Sequence, residues 1–244
     1  MKKTQSLSRS SNGYFNPAIG ELIHVWGFHT SDYPIKAAPP NDKTIKTYLK
    51  NTPNMSDLIF EGYRLSSQNP KIWLDFGGIA KGYAIDQAMK SIKKFGIKDA
   101  IINAGGDLRS IGAKGEQKWK VAIRRPKTDD ALAVIEVEGD ESIFTSGNYE
   151  RYKEFEGKRY AHIINPFTGY GINEVQSATV ILDDGVSADA AATAMVVAGT
   201  ENWHEIISSM NIDQALIIKE DGSCLATTKM MQRLKQSQLK CDVN

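Results

Sequence analysis

The sequence predicts an α+β domain built on a single mixed sheet. Short apolar or alternating runs are interspersed irregularly with helical segments of period near 3.6, without the strict strand–helix alternation of a doubly wound fold. No repeat, low-complexity run or linker divides the 244 residues, a length that fits one large domain or two small ones. At 41% hydrophobic and 24% charged residues, the chain carries enough apolar mass for a core.

The elements follow from local chemistry. Asn12-Gly13 is a turn signal, and Pro17 suits the first turn of a helix carrying Ile19, Leu22, Ile23 and Trp26. The prolines between His29 and Pro40 make that stretch irregular, and Asn41 or Asp42 caps a short helix through Lys50. Asn51–Asp57 reads as loop. Leu58–Leu65 and Lys71–Leu74 read as a hairpin across Ser66–Pro70. Gly78–Phe95 is a helix with Ile85, Ala88, Met89 and Ile92 on one side. Asp99–Asn103 is a short buried strand, and Trp119–Arg124 and Ala133–Glu138 are strands around PKTDD. Ser142–Thr145 leads into the turn Ser146-Gly147-Asn148. Tyr160–Ile164 is a strand stopped by Asn165-Pro166, and Gln176–Leu182 is another. Ser187 caps a helix to about Ala198, a second helix covers Asn202–Met210, and Ala215–Lys219 with Ser223–Thr227 forms a last hairpin. The tail from Lys229 is helical or frayed.

Thirty basic and 29 acidic side chains leave a net charge of +1, which gives no electrostatic case for nucleic acid or an anionic membrane. Cys224 and Cys241 show no metal or redox spacing. The opening MKKTQSLSRSSNG lacks the apolar run of a signal peptide, and Ala190–Gly199 is too short to span a bilayer.

The most informative stretch is LDFGGIAKGYAIDQ, Leu74–Gln87. A short apolar strand ends at Asp75, then Gly77, Gly78, Lys81 and Gly82 precede a helix. Glycines admit a ligand to the main chain, and a helix start offers N–H groups and a positive dipole end. Lys81 adds a point charge, while Asp75 needs a cation or a donor group to grip. This suits a phosphate-bearing ligand; a plain strand-to-helix turn fits equally. Neither nucleotide fingerprint applies. In SADAAAT, Asp189 and Thr193 share a helix face and are hard oxygen ligands of the kind Mg²⁺ accepts. Dipole stabilisation and a back-bonded threonine explain them as well. In RYAHIINPFTG, His162 alternates with Tyr160 and Ile164 and suits a general base or a satisfied strand histidine. The glycine turns NAGGD (Asn103–Asp107) and TSGNY (Thr145–Tyr149) either present donors to a diphosphate or simply end strands.

Taken in order, SNGYFNPAIG, LDFGGIAKGYAID, NAGGDLRSIG, FTSGNYERY, HIINPFTG and ADAAATA resemble the blocks of the FAD:protein FMN transferase family, the ApbE-like flavin transferases. The resemblance implies a single α+β domain of T-fold-like type. It implies Mg²⁺-dependent transfer of the FMN moiety of FAD onto a threonine hydroxyl of an acceptor protein, with release of AMP. Redox-pump and electron-transfer flavoprotein subunits are the acceptors it suggests. Carried over residue by residue, Asp75 is a flavin-side contact, Lys81 lies in the FAD pocket, and Ile164 belongs to the flavin pocket. Tyr14, Phe15 and Asn16 match a flavin-contacting stretch in which Asp is common at the Asn16 position. Gly78, Asp189, Ala192 and Thr193 match the metal site, and His162 the base. Members usually carry many tens of residues ahead of SNGYFNP, so the N-terminal part of the family domain is expected to be absent, leaving an exposed sheet edge. FAD binding without transfer, or FAD hydrolysis, is the alternative to transfer. Members are commonly periplasmic or anchored at the inner membrane; with no signal or anchor, this chain is expected to be soluble.

Overall fold

Strand after strand reads apolar on both faces, and a sheet with that pattern must be covered twice. The computed structural model, which describes residues 1–235 and 239–243, shows this arrangement. The chain begins with helices α1 (Lys2–Ser10), α2 (Gly20–Trp26) and α3 (Asp42–Leu49), then a hairpin of β1 (Leu58–Glu61) and β2 (Arg64–Ser67). Helix α4 (Ala80–Lys94) leads to β3 (Ala100–Ala104), β4 (Asp107–Ile111), β5 (Trp119–Arg124), β6 (Ala131–Val137) and β7 (Glu141–Gly147). A small hairpin, β8 (Tyr152–Phe155) with β9 (Lys158–Ala161), precedes β10 (Val175–Leu182) and the long helix α5 (Gly185–Ser209). The chain ends with β11 (Ala215–Lys219), β12 (Cys224–Ala226), α6 (Thr228–Arg233), β13 (Leu234–Lys235) and β14 (Cys241–Val243).

Seven strands form the central sheet in the order β14-β12-β11-β10-β7-β4-β3. It is antiparallel except where β14 pairs in parallel with β12. The period of two assigns its side chains to two cores. Phe144, Ala178, Val180 and Ile217 face the alanine-rich α5. Ile143, Ile181, Leu216 and Ile218 face the opposite way, towards Val121, Ile123 and Ile135 of the three-stranded sheet β13-β6-β5. Residues 188–198 of α5 are buried almost throughout, as expected of a helix apolar all round.

The mixed α+β expectation holds, and several local expectations change. The first hairpin turns at Gly62-Tyr63, and residues 72–74 contribute one bridge, Trp73 to Ile19, instead of a strand. Gly62 adopts a positive φ of 60°, which makes it the better turn residue. Asp99–Asn103 was expected to be buried; β3 is instead a largely exposed edge strand. Strand β9 stops at Ala161, so His162 lies just beyond it. Asp184, not Ser187, caps α5, its carboxylate accepting from Ser187 N at 2.9 Å. The expected break between two helices appears as a kink inside α5 at Gly199. The lysine- and serine-rich N-terminus is a helix whose buried Thr4, Leu7 and Ser8 fall on one side. The two cysteines form a disulfide between β12 and β14. No helix among the described residues is long and apolar enough to cross a membrane.

Candidate active site

Helices α4 and α5 are clamped at their starts, and the clamp builds the site. An α4 residue at position 82 with a Cβ would place it 2.2 Å from Gly185 O, so only glycine allows this approach. Gly82 N, an orphan donor of the first turn of α4, donates to Asp189 Oδ2 at 3.0 Å. In return the Asp86 carboxylate accepts from Gly185 N (2.9 Å) and Val186 N (3.1 Å), and Arg109 holds Asp86 from β4. The glycine turn ahead of α4 thereby meets the first turns of α5. A Cβ on Gly78 would lie 2.9 Å from Thr193 Oγ1 and 3.4 Å from the Phe15 ring.

These elements line a cleft of about 560 Å³. Tyr14, Phe15, Asn16, Asp75, Gly78, Lys81, His162, Ile164, Asp189 and Thr193 all line it. Ala192 does not: it is fully buried in the core between α5 and the sheet. The glycine turns 104–106 and 145–147 also reach the cleft.

One side is apolar. Phe15 and Ile164 are buried, and Tyr14 packs edge-on against Phe167 at 5.2 Å. Asn16 uses its amide on the backbone, donating to Pro53 O at 2.9 Å and accepting from Ala18 N at 3.1 Å. Asp75 Oδ1 accepts from Gly77 N at 2.8 Å, which fixes the turn.

The other side is charged. Asp189 is 3% exposed, and its carboxyl is raised to about 6. Burial is the main cause and the nearby Asp107 adds to it; the bond from Gly82 N and the charge of Lys81 oppose it. Thr193 Oγ1 lies 3.1 Å from Ser146 Oγ. Among the described residues no cluster of three or more His, Cys, Asp or Glu side chains gathers as a metal site. The donor set here is of another kind: a buried carboxylate short of compensating charge, a hydroxyl, and a glycine that no side chain screens. Hard oxygen donors around a carboxylate that burial destabilises fit a small divalent cation.

His162 sits across the cleft. Its Nδ1 lies 3.0 Å from Arg151 O, and its backbone N–H donates to the same carbonyl at 3.3 Å. A carbonyl only accepts, so Nδ1 carries the proton and Nε2 keeps its lone pair. The ring is densely surrounded, edge-on to Phe28 at 6.4 Å. Its pKa is lowered to about 4, first by burial, then by the charges of Arg151 and Lys81, against the opposing Arg151 hydrogen bond. The imidazole is therefore neutral at pH 7.

Sequence reading located the NAGGD and TSGNY turns and missed the roles of their side chains. Asp107, which ends NAGGD, is 1% exposed, pairs with Lys81 and accepts from Thr145 N at 2.9 Å. Arg124, whose guanidinium lies 5.4 Å from the Tyr149 ring centroid, lines the cleft with Tyr149 and Arg151. Arg124 lies on β5 outside every quoted block, and Arg151, though inside FTSGNYERY, is drawn to the cleft only by the fold.

A model of the ApbE family matches residues 1–217. The chain belongs to that family. It is 39% identical to the FAD:protein FMN transferase of Rhodobacter capsulatus, over 96% of this chain and 45% of that protein. The corresponding Vibrio cholerae protein is 32% identical over 91% of this chain and 66% of that one. This chain thus spans less than half of one ApbE relative and about two thirds of the other. The crystal structure of the ApbE protein from Thermotoga maritima superposes with a TM-score of 0.87 at 30% identity, covering 96% of this chain and 76% of that one. The flavin transferase ApbE from Vibrio cholerae gives 0.80 at 29% identity, covering 96% and 75%. The α+β architecture is the ApbE fold, and its mixed seven-stranded sheet is joined by a second, three-stranded sheet where one sheet was expected.

Proposed function

We propose that this chain transfers the FMN moiety of FAD onto a threonine hydroxyl of an acceptor flavoprotein and releases AMP. The observation that carries the reading is the convergence on one cleft of a neutral imidazole, a lysine ammonium and a buried oxygen donor set. The name shared by the relatives supports the reaction class.

The apolar side, with Phe15, Ile164 and Tyr14, suits an isoalloxazine ring, and Asp75 and Asn16 stand beside it to meet polar edges. The glycine turns and Lys81 suit the diphosphate. Gly78 through its carbonyl, with Asp189 and Thr193, would hold Mg²⁺; Ala192 would have only its main chain to offer. Bound there, Mg²⁺ would supply positive charge that offsets the negative charge developing on the diphosphate.

His162 Nε2 takes the proton of the acceptor threonine. The freed oxygen bonds to the phosphorus on the FMN side, and the bond from that phosphorus to the oxygen shared with AMP breaks. AMP leaves with that oxygen and its electron pair. The anionic diphosphate offsets the charges of Lys81 and Arg151 felt at His162 and so raises its basicity when it is needed. Incubation with FAD, Mg²⁺ and an acceptor flavoprotein, followed by in-gel flavin fluorescence, tests the reading. A fluorescent acceptor band with equimolar AMP is expected. AMP without labelling would mean hydrolysis, and FAD retention without AMP would mean a binding protein; either overturns it.

A further inference from the structure

The reaction scheme uses Lys81 and leaves its partner Asp107 without a role. Asp107 is the first residue of β4, and its carboxylate is almost wholly buried. One oxygen accepts from Thr145 N at 2.9 Å; the other pairs with Lys81 Nζ. The Lys81 side chain is half exposed towards the cleft. A lysine stem has four rotatable bonds, and an unpaired ammonium at a cleft wall samples many positions. Asp107 removes that freedom, and it is itself fixed, because its second oxygen is held by the backbone of β7. The same strand carries Ser146, which meets Thr193, so the carboxylate links the turn before β4, the start of α4 and the β7 wall.

We propose that Asp107 is the positioning residue of Lys81: its buried carboxylate holds the ammonium at the place where the diphosphate arrives. This rests on the flavin-transfer reading for its catalytic consequence and on geometry alone for the pairing. Asp107→Asn is the informative variant. Its amide oxygen can still accept from Thr145 N, so the β7 anchor is retained while the charge facing Lys81 is lost.

Two measurements decide. In the ligand-free protein, the acylation rate of Lys81 by an amine-reactive ester, resolved by peptide mass spectrometry, is expected to rise about threefold or more in Asp107→Asn, since a charge-assisted bond is lost. The rate at exposed Lys90 of the same helix serves as the reference and stays constant. An unchanged Lys81 rate overturns the proposal. In flavin transfer, Asp107→Asn is expected to lose about tenfold in rate while its melting temperature stays within a few degrees. Adding it to Lys81→Met should cost less than a further twofold, because residues acting as a unit are not additive. Multiplicative losses would show that Asp107 acts apart from Lys81 and would overturn the proposal. If the unmodified chain transfers no flavin at all, the functional reading fails, and the acylation measurement still decides the pairing.

Discussion

At the scale of single residues, the half-buried His162 and the buried Asp189 of the cleft oppose each other. His162 is held neutral well below its ordinary value, at about 4 against 6.5. Between those values the unfolded chain binds the extra proton, so this group's contribution to stability is present above pH 6.5 and lost as pH falls towards 4. Asp189 is raised from 3.8 to about 6. Its folded form binds the extra proton in that window, so its contribution is present below pH 3.8 and lost as pH rises through 6. The two nearly cancel in the ligand-free protein. Urea titrations between pH 4 and 7 should therefore show His162→Ala gaining stability on acidification and Asp189→Asn losing it. The same slope in both variants would contradict the assigned environments. Transfer by His162→Ala is expected to fall about 10²–10⁴-fold with FAD affinity retained, as measured by flavin fluorescence quenching. Asp189→Asn removes a buried charge, so it is expected to be more stable than the parent at pH 7 while losing the Mg²⁺ response of transfer.

At the scale of elements, glycines set how closely the helices approach. A Cβ at position 82 would meet Gly185 O and break the α4–α5 clamp that aims Asp189. Gly82→Ala is thus expected to cost more than about 2 kcal/mol in urea unfolding and to lower Mg²⁺ affinity together with stability. The kink of α5 is a different case. Gly199 has φ 70° and ψ −163°, and a Cβ there would lie 1.9 Å from Glu174 Oε1. Gly199→Ala should cost about 1–3 kcal/mol through backbone strain and leave Lys81 acylation unchanged, because the kink lies beyond the turns that line the cleft.

At the scale of the whole molecule, the disulfide from Cys224 to Cys241, 17 residues apart, fastens β14 to the edge of the central sheet. A closed loop of this size stabilises by about 3 kcal/mol in the chain-entropy account. Cys224→Ser with Cys241→Ser is therefore expected to melt about 5–10 °C lower while FAD binding persists, since neither cysteine reaches the cleft. Equal melting of the oxidised protein and the double variant would show that β14 adds nothing to the fold. The opposite edge, β3, pairs with β4 on one side and, among the described residues, with no strand on the other, and Ile101 stays exposed on it.

The sequence by itself determined much of this. Period-two and period-3.6 patterns are local properties of the chain, and they were sufficient for the mixed α+β class, for α4 and for β10. The glycine turns and the Asp189–Thr193 spacing were legible for the same reason: each lies within a few residues, and its geometry follows from backbone chemistry. The hairpin turn at Gly62 and the end of β9 before His162 were not, since competing turn residues differ by less than the tertiary contacts that choose between them. Only the tertiary structure decided that Asp107 faces Lys81, that Ala192 points into the core, that the Arg151 carbonyl sets the His162 tautomer, and that Cys224 meets Cys241. Each of these is a relation between segments distant in sequence or a choice between two faces of one element, and it exists only once packing has fixed the distances.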